Sequence, residues 1–160
     1  MKHIIEKANE IREKYRIDDL ELLASKLEAE VVEVPLGKII KEIYIKDEEV
    51  IVIDPNLHPY KKRHLIVHGL AYHLFHRNTK VNYFLDERNN RFNYWKQRRQ
   101  EKEAEVFAAY LLISEDKLNE KLKEDWVKES LDPIPELAEE FRTSENFMRE
   151  RLKLRESSNN

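Results

Sequence analysis

The spacing of apolar residues changes along this chain between a helical period and a period near two, and each predicts a different kind of element. Ile4, Ala8, Ile11 and Tyr15 recur every three or four residues, which puts them on one face of a helix. Asp18 or Asp19 stands where an N-cap is needed for a second short helix carrying Leu20, Leu22, Leu23 and Leu27. The period then falls towards two. Segments Glu30 to Val34, Ile39 to Ile45 and Glu49 to Asp54 are rich in Val and Ile, and the last two are joined by a turn at Lys46-Asp47-Glu48. They predict a small sheet of about three strands, the usual minimum for stability.

Helical spacing returns after Asp54-Pro55-Asn56, which ends the last strand. A helix is expected from about Pro59 to about Arg77, with Pro at its first position. Residues 78 to 93 are polar, aromatic and irregular, with Asn89-Asn90 as the expected loop tip. A long helix follows from about Tyr94 to Ile113, its stripe formed by Ala104, Phe107, Ala108, Leu111 and Leu112. Ser114 caps a short helix through Leu118 and Leu122. Beyond Leu131-Asp132-Pro133-Ile134-Pro135, two more helices are expected, Glu136 to Phe141 and, capped by Thr143 or Ser144, Glu145 to Arg155. Ser157 to Asn160 reads as a disordered tail. The pattern is α+β: mostly helical, with a small three-stranded sheet and a C-terminal helix-turn-helix-like pair over 134–155. It forms one domain over residues 1–156.

Composition narrows the function classes. The 160 residues are 41% hydrophobic, enough for one core, and 38% charged with a net charge of only −3. That near-cancellation excludes a global basic field for nucleic acid, so any DNA contact is local. No apolar run is long enough to span a membrane and no signal-peptide pattern opens the chain. With no Cys, the reading is a cytoplasmic protein without disulfides. The abundance of Lys, Glu and Arg with only two Gly resembles heat-adapted, thermostable proteins.

The candidate chemistry lies in the helix that carries His64, His68, His73 and His76. In an HExxH helix, two His four residues apart face one zinc ion and the Glu after the first His is the general base. The corresponding frame here is His68, Gly69, Leu70, Ala71, Tyr72. The first ligand position is kept; glycine stands at the base position and tyrosine at the second ligand position. A glycine inside a helix costs about 1 kcal/mol relative to alanine, so it marks either drift or a close backbone approach.

Three segments carry a family resemblance. They are Val50-Ile51-Val52-Ile53-Asp54 leading into Val67-His68 and Leu74-Phe75-His76; Glu101-Lys102-Glu103-Ala104-Glu105-Val106-Phe107-Ala108-Ala109-Tyr110-Leu111-Leu112; and Leu137-Ala138-Glu139-Glu140-Phe141-Arg142-Thr143-Ser144. Together they resemble the ImmA/IrrE family of metallopeptidase-like proteins, which pair a zincin-type core with transcriptional regulation. The second and third segments match the family patterns ExEANxFAxxLL and LAxxFxVS closely, whereas the first lacks the HELGH letters. By position the resemblance implies that His68 is the first metal ligand and Glu103 the third. Tyr72 and His76 then line the cleft, and Glu105 replaces a common Asn. Zinc is the implied cofactor if any is bound.

Two rearrangements would rebuild a three-ligand site. His64 and His68 have the i, i+4 separation and, with Glu103, make a His2Glu set. His68 and His73 differ by about 140° around a regular helix, so they meet only through a π-bulge. Neither restores a base, and general-base catalysis is worth about 10² to 10⁴ in rate. The expectation is therefore a pseudoenzyme that binds a partner. The resemblance implies that the partner is a helix-turn-helix transcriptional regulator of the phage or mobile-element type. The alternatives are a zinc endopeptidase with a shifted site and a DNA-binding regulator that uses Arg149 and Arg151 of the last helix.

Overall fold

Asp19 illustrates how local sequence starts this fold: its carboxylate accepts from Leu22 N at 3.0 Å and begins a helix at Leu20. The computed structural model describes residues 1–77, 81–85 and 95–158, with side chains at 1–77 and 99–158. The described helices are α1 (Lys2–Lys14), α2 (Leu20–Lys26), α3 (Pro59–Phe75), α4 (Trp95–Leu112), α5 (Glu115–Leu122), α6 (Asp125–Glu129), α7 (Ile134–Glu140) and α8 (Glu145–Ser158). The described strands are β1 (Glu30–Glu33), β2 (Ile40–Ile45), β3 (Val50–Ile53) and β4 (Val81–Leu85).

The sheet order is β1-β3-β2-β4, with β1 parallel to β3 and the other pairs antiparallel. The three expected strands are present. A fourth, β4, comes from the segment read as irregular and pairs with β2; Lys41 is the extra residue where the register shifts between Ile40 and Glu42. The expected loop tip at Asn89-Asn90 and the expected helix start at Tyr94 lie outside the described residues. Because strand side chains alternate, Glu42 and Tyr44 share one face of β2, and that face is buried.

Helix α3 lies across that face. His58 caps it, its Nδ1 accepting from Tyr60 N at 3.1 Å, and Pro59 fills the first turn, where no donor is needed. Every residue from His64 to His73 is buried, because the sheet covers one side of α3 and α4 the other. A helix enclosed all round does not need a one-sided apolar stripe, so its polar residues must find partners inside. Helix α1 packs on α4 through Ile4, Ala8 and Ile11. No described helix is long and apolar enough to cross a membrane.

Ser144 Oγ accepts from Phe147 N at 3.1 Å and starts α8, after a turn in which Arg142 adopts a positive φ of 54°. The helix runs through Ser158, where the sequence pattern suggested a tail from Ser157; both serine hydroxyls donate to carbonyls one turn back. Asn159 and Asn160 lie outside the described residues. The short α6 was not expected from the sequence.

The arginines proposed for DNA contact, Arg149 and Arg151, take different places on α8. Arg151 is 0% exposed: its Nε donates to Ile113 O at 3.1 Å, its Nη2 to Glu115 at 2.5 Å, and its guanidinium lies 3.9 Å from the Tyr110 ring centre. It ties α8 to the end of α4 and cannot reach a phosphate. Arg149 is exposed but lies 3.7 Å from Asp132 and 3.9 Å from Glu145. Arg155, partly exposed, binds Glu115 and Asn119. Removing a buried cation leaves its partners unpaired, so Arg151→Ala should lower unfolding free energy by about 3 kcal/mol in urea denaturation. Arg149→Ala should change it by less than about 1 kcal/mol, as for an exposed pair. Equal losses for the two variants would contradict the internal role of Arg151.

Candidate functional site

His64, His68, Tyr72 and His76 are spaced by four, so they form a slowly drifting stripe on α3. Glu101 and Glu105 have the same spacing on α4, and the two stripes meet. His64 Nε2 lies 2.9 and 3.0 Å from the two oxygens of Glu105. His68 Nε2 lies 3.1 Å from Glu101 Oε2 and 3.9 Å from Glu105 Oε1. The Tyr72 hydroxyl donates to the other oxygen of Glu101. From the opposite side, Glu42 of β2 brings Oε2 to within 2.8 Å of His68 Nδ1. His68 is thus enclosed, 1% exposed, between a strand carboxylate and a helix carboxylate.

Three expected placements change. Glu103 does not face His68; it takes a 3.0 Å hydrogen bond from Arg99 Nε, and His76 Nε2 lies 3.2 Å away outside hydrogen-bonding geometry. Residues two apart on a helix differ by about 200°, so Glu101 and Glu103 cannot both face α3 at this level. Glu101 is the carboxylate that meets His68. His73 turns away from the cluster: its Nε2 faces Leu27 O and its Nδ1 faces the Tyr44 hydroxyl, each at 2.8 Å. It joins α3 to β2 and the end of α2, and α3 is regular there, without the π-bulge that would bring it beside His68. His64 does stand beside His68, their ring centres 6.3 Å apart, but it is directed to Glu105 and covered by Phe147 of α8 at 4.6 Å.

Glu42 was not anticipated from the sequence, although a signal existed. In Ile40-Lys41-Glu42-Ile43-Tyr44-Ile45 it shares its face with Tyr44. Its neighbours Ile43 and Ile45 made the other face look like the core.

The electrostatics follow from this enclosure. Burial alone would lower the His68 pKa, but Glu42 and Glu101 outweigh it and raise the value well above the ordinary one. Burial raises Glu42, with His68 opposing. Burial and Glu101 raise Tyr72, so the phenol keeps its proton. Burial would raise Glu105, yet His64 and His68 bring it below the usual carboxylate range. Burial lowers His64 and His76 despite Glu105 and Glu103.

Gly69 fits here for a steric reason. A Cβ at this position would lie 2.7 Å from Ile51 Cγ2 and 2.9 Å from Glu42 Oε1. The sheet and the Glu42 carboxylate therefore fill the space that a base on α3 would occupy. The donors do not fit the zinc that the resemblance implies. Both His68 nitrogens face carboxylates, position 72 supplies a neutral phenol, and no carboxylate adjoins position 68 on the helix. Among the described residues, no group of three or more His, Cys, Asp or Glu side chains has a geometry that would hold a metal ion.

The fold defines an α+β, zincin-like domain. The chain belongs to the peptidase M78 family, matching the IrrE N-terminal-like domain over residues 12–153. No curated protein matches the chain.

Two measurements test the site. Gly69→Ala gains about 1 kcal/mol of helix propensity but overpacks a closed contact, which typically costs about 1–3 kcal/mol. A net loss of about 1 kcal/mol is expected in denaturant unfolding, and a gain would contradict the close approach. Because the His68 pKa is raised by folding, its contribution is complete below the free value of about 6.5 and is lost as pH rises through the raised value. Unfolding free energy measured across that alkaline window should fall more steeply for the wild type than for His68→Gln. Parallel curves would remove His68 from the pH dependence.

Proposed function

We propose that this domain is a catalytically silent relative of the M78 peptidases that acts by holding a partner polypeptide. The single observation behind this reading is the closed space at Gly69. A peptidase needs a base beside its activated water, and position 69 offers neither a carboxylate nor room for one. Tyr72 at the second ligand position points the same way, because its hydroxyl donates to Glu101 and a neutral phenol is a poor zinc ligand.

The partner class comes from the ImmA/IrrE resemblance, which pairs such domains with helix-turn-helix transcriptional regulators. The proposed activity is binding a segment of such a regulator without cutting it. Regulation of transcription then runs through the partner, because the chain's own C-terminal arginines are directed inward or paired with carboxylates.

The test is co-expression of the full chain with helix-turn-helix repressors, followed by capture and mass analysis. Recovery of a repressor at its intact mass, with no fragments on prolonged incubation with zinc, is the expected outcome. Chelator-sensitive cleavage of the repressor would overturn the silent reading, and failure to capture any repressor would overturn the partner reading.

A further inference from the structure

Away from the histidine cluster, Arg63 and Arg142 stand close together, and neither is in an ion pair among the described residues. Tyr60 and Arg63 are three residues apart on α3, so they share a face there. Glu139 and Arg142 are three apart across the end of α7, where Arg142 N donates to Glu139 O at 3.0 Å. The Tyr60 hydroxyl donates to Glu139 Oε2 at 2.8 Å, and this contact brings the two arginines to one place. Burial lowers the Arg63 pKa and Arg142 lowers it further. Arg63 is partly buried, and its Nε is enclosed without a hydrogen-bond partner. Like charges held this close favour an oxyanion shared between them, and planar guanidinium forks match a carboxylate or a phosphate.

The surroundings decide which oxyanion fits. Glu139 also lines a groove of about 530 Å³ along α7 with Pro135, Glu136 and Glu140, and Lys121 pairs with Glu140 at 3.3 Å. That acidic margin repels a polyanion such as nucleic acid. A polypeptide segment can instead set a carboxylate on the arginines and a basic side chain in the groove. We propose that Arg63 and Arg142 form a docking site for a carboxylate side chain of a partner polypeptide, with the α7 groove receiving a basic side chain beside it. This inference rests on the reading that the domain holds a partner, and adds the place and the chemistry of the contact.

The experiment is a titration of the full, nitrogen-labelled chain, read at the arginine side-chain N–H signals. The probes are a blocked peptide of alternating Glu and Lys, the same peptide with Gln in place of Glu, inorganic phosphate, and a short DNA duplex. The two signals are assigned by their loss in Arg63→Gln and Arg142→Asn; asparagine tolerates the positive φ of 54° at 142. Both signals should move saturably with the Glu and Lys peptide and stay in place with its Gln version. Arg142→Asn should weaken that binding at least about tenfold, the size of one lost charge-assisted hydrogen bond. Tighter binding of phosphate or duplex than of the peptide would overturn the choice of a partner carboxylate. No movement with any probe, or an unchanged affinity in Arg142→Asn, would overturn the site. Arg142 is exposed, so its variant decides the matter even where Arg63→Gln does not fold. Peptide binding without repressor capture leaves this site standing and removes the repressor; capture without peptide binding does the reverse.

Discussion

The contact on which this structure depends is the bridge from Glu42 through His68 to Glu101. It connects a strand to two helices, with Glu42 and His68 buried and Glu101 at the partly exposed end. An isolated carboxyl group at the position of Glu42 would be strongly disfavoured, so β2 can present that face to α3 only if α3 supplies a hydrogen-bond partner there. The imidazole at 68 is the hydrogen-bond partner there, and the missing side chain at 69 lets the strand come close enough to use it. Breaking one partner of such an arrangement is costly because the other stays buried and charged. Replacing the whole set with apolar side chains need not be. The bridge therefore bears on which arrangement the chain adopts more than on how stable it is.

The residues at positions 69 and 72 form one coherent set with Glu42. A metal site is rich in acceptors, because lone pairs from imidazole and carboxylate converge on a cation. In this chain the convergence is replaced by pairing of donors with acceptors. The Tyr72 hydroxyl donates to Glu101, His68 stands between two carboxylates, and Glu105 is matched to His64. Each substitution has a partner that makes it acceptable: Gly69 makes room for Glu42, and Tyr72 supplies a donor to an oxygen that would otherwise lack one. Such matching matters in a buried network, because a half-satisfied network is worse than an apolar core.

The C-terminal pair extends the same enclosure. Phe147 covers His64, and Arg151 fixes α8 to the end of α4 through Ile113 and Glu115. A helix-turn-helix pattern in sequence records a packing angle between two helices and a turn that permits it. It does not say which face is outward. Here Arg151 is buried, and it and the partly exposed Arg155 both bind Glu115, so these two charges tie α8 to α5.

How much was legible in the sequence depended on whether the signal was local. Caps at Asp19, Ser114 and Ser144, the proline at the start of α3 and the apolar stripe of α4 are properties of a few neighbouring residues, and the elements they predict are present. The peptidase family was legible for the same reason, through contiguous segments. Partner choice across elements was not. Glu101 and Glu103 are equally acidic and only two residues apart, and the rotation of α4 against α3 decides between them. Glu42 sits in a strand whose Ile43 and Ile45 favour the opposite face as the core, and β4 lies within a segment whose spacing read as irregular. Arg151 looked like a surface cation because nothing within α8 reveals Tyr110 and Glu115 waiting on other helices. In each case the missing information was the identity of a residue far away in sequence, and a pattern of spacing along one element cannot supply it.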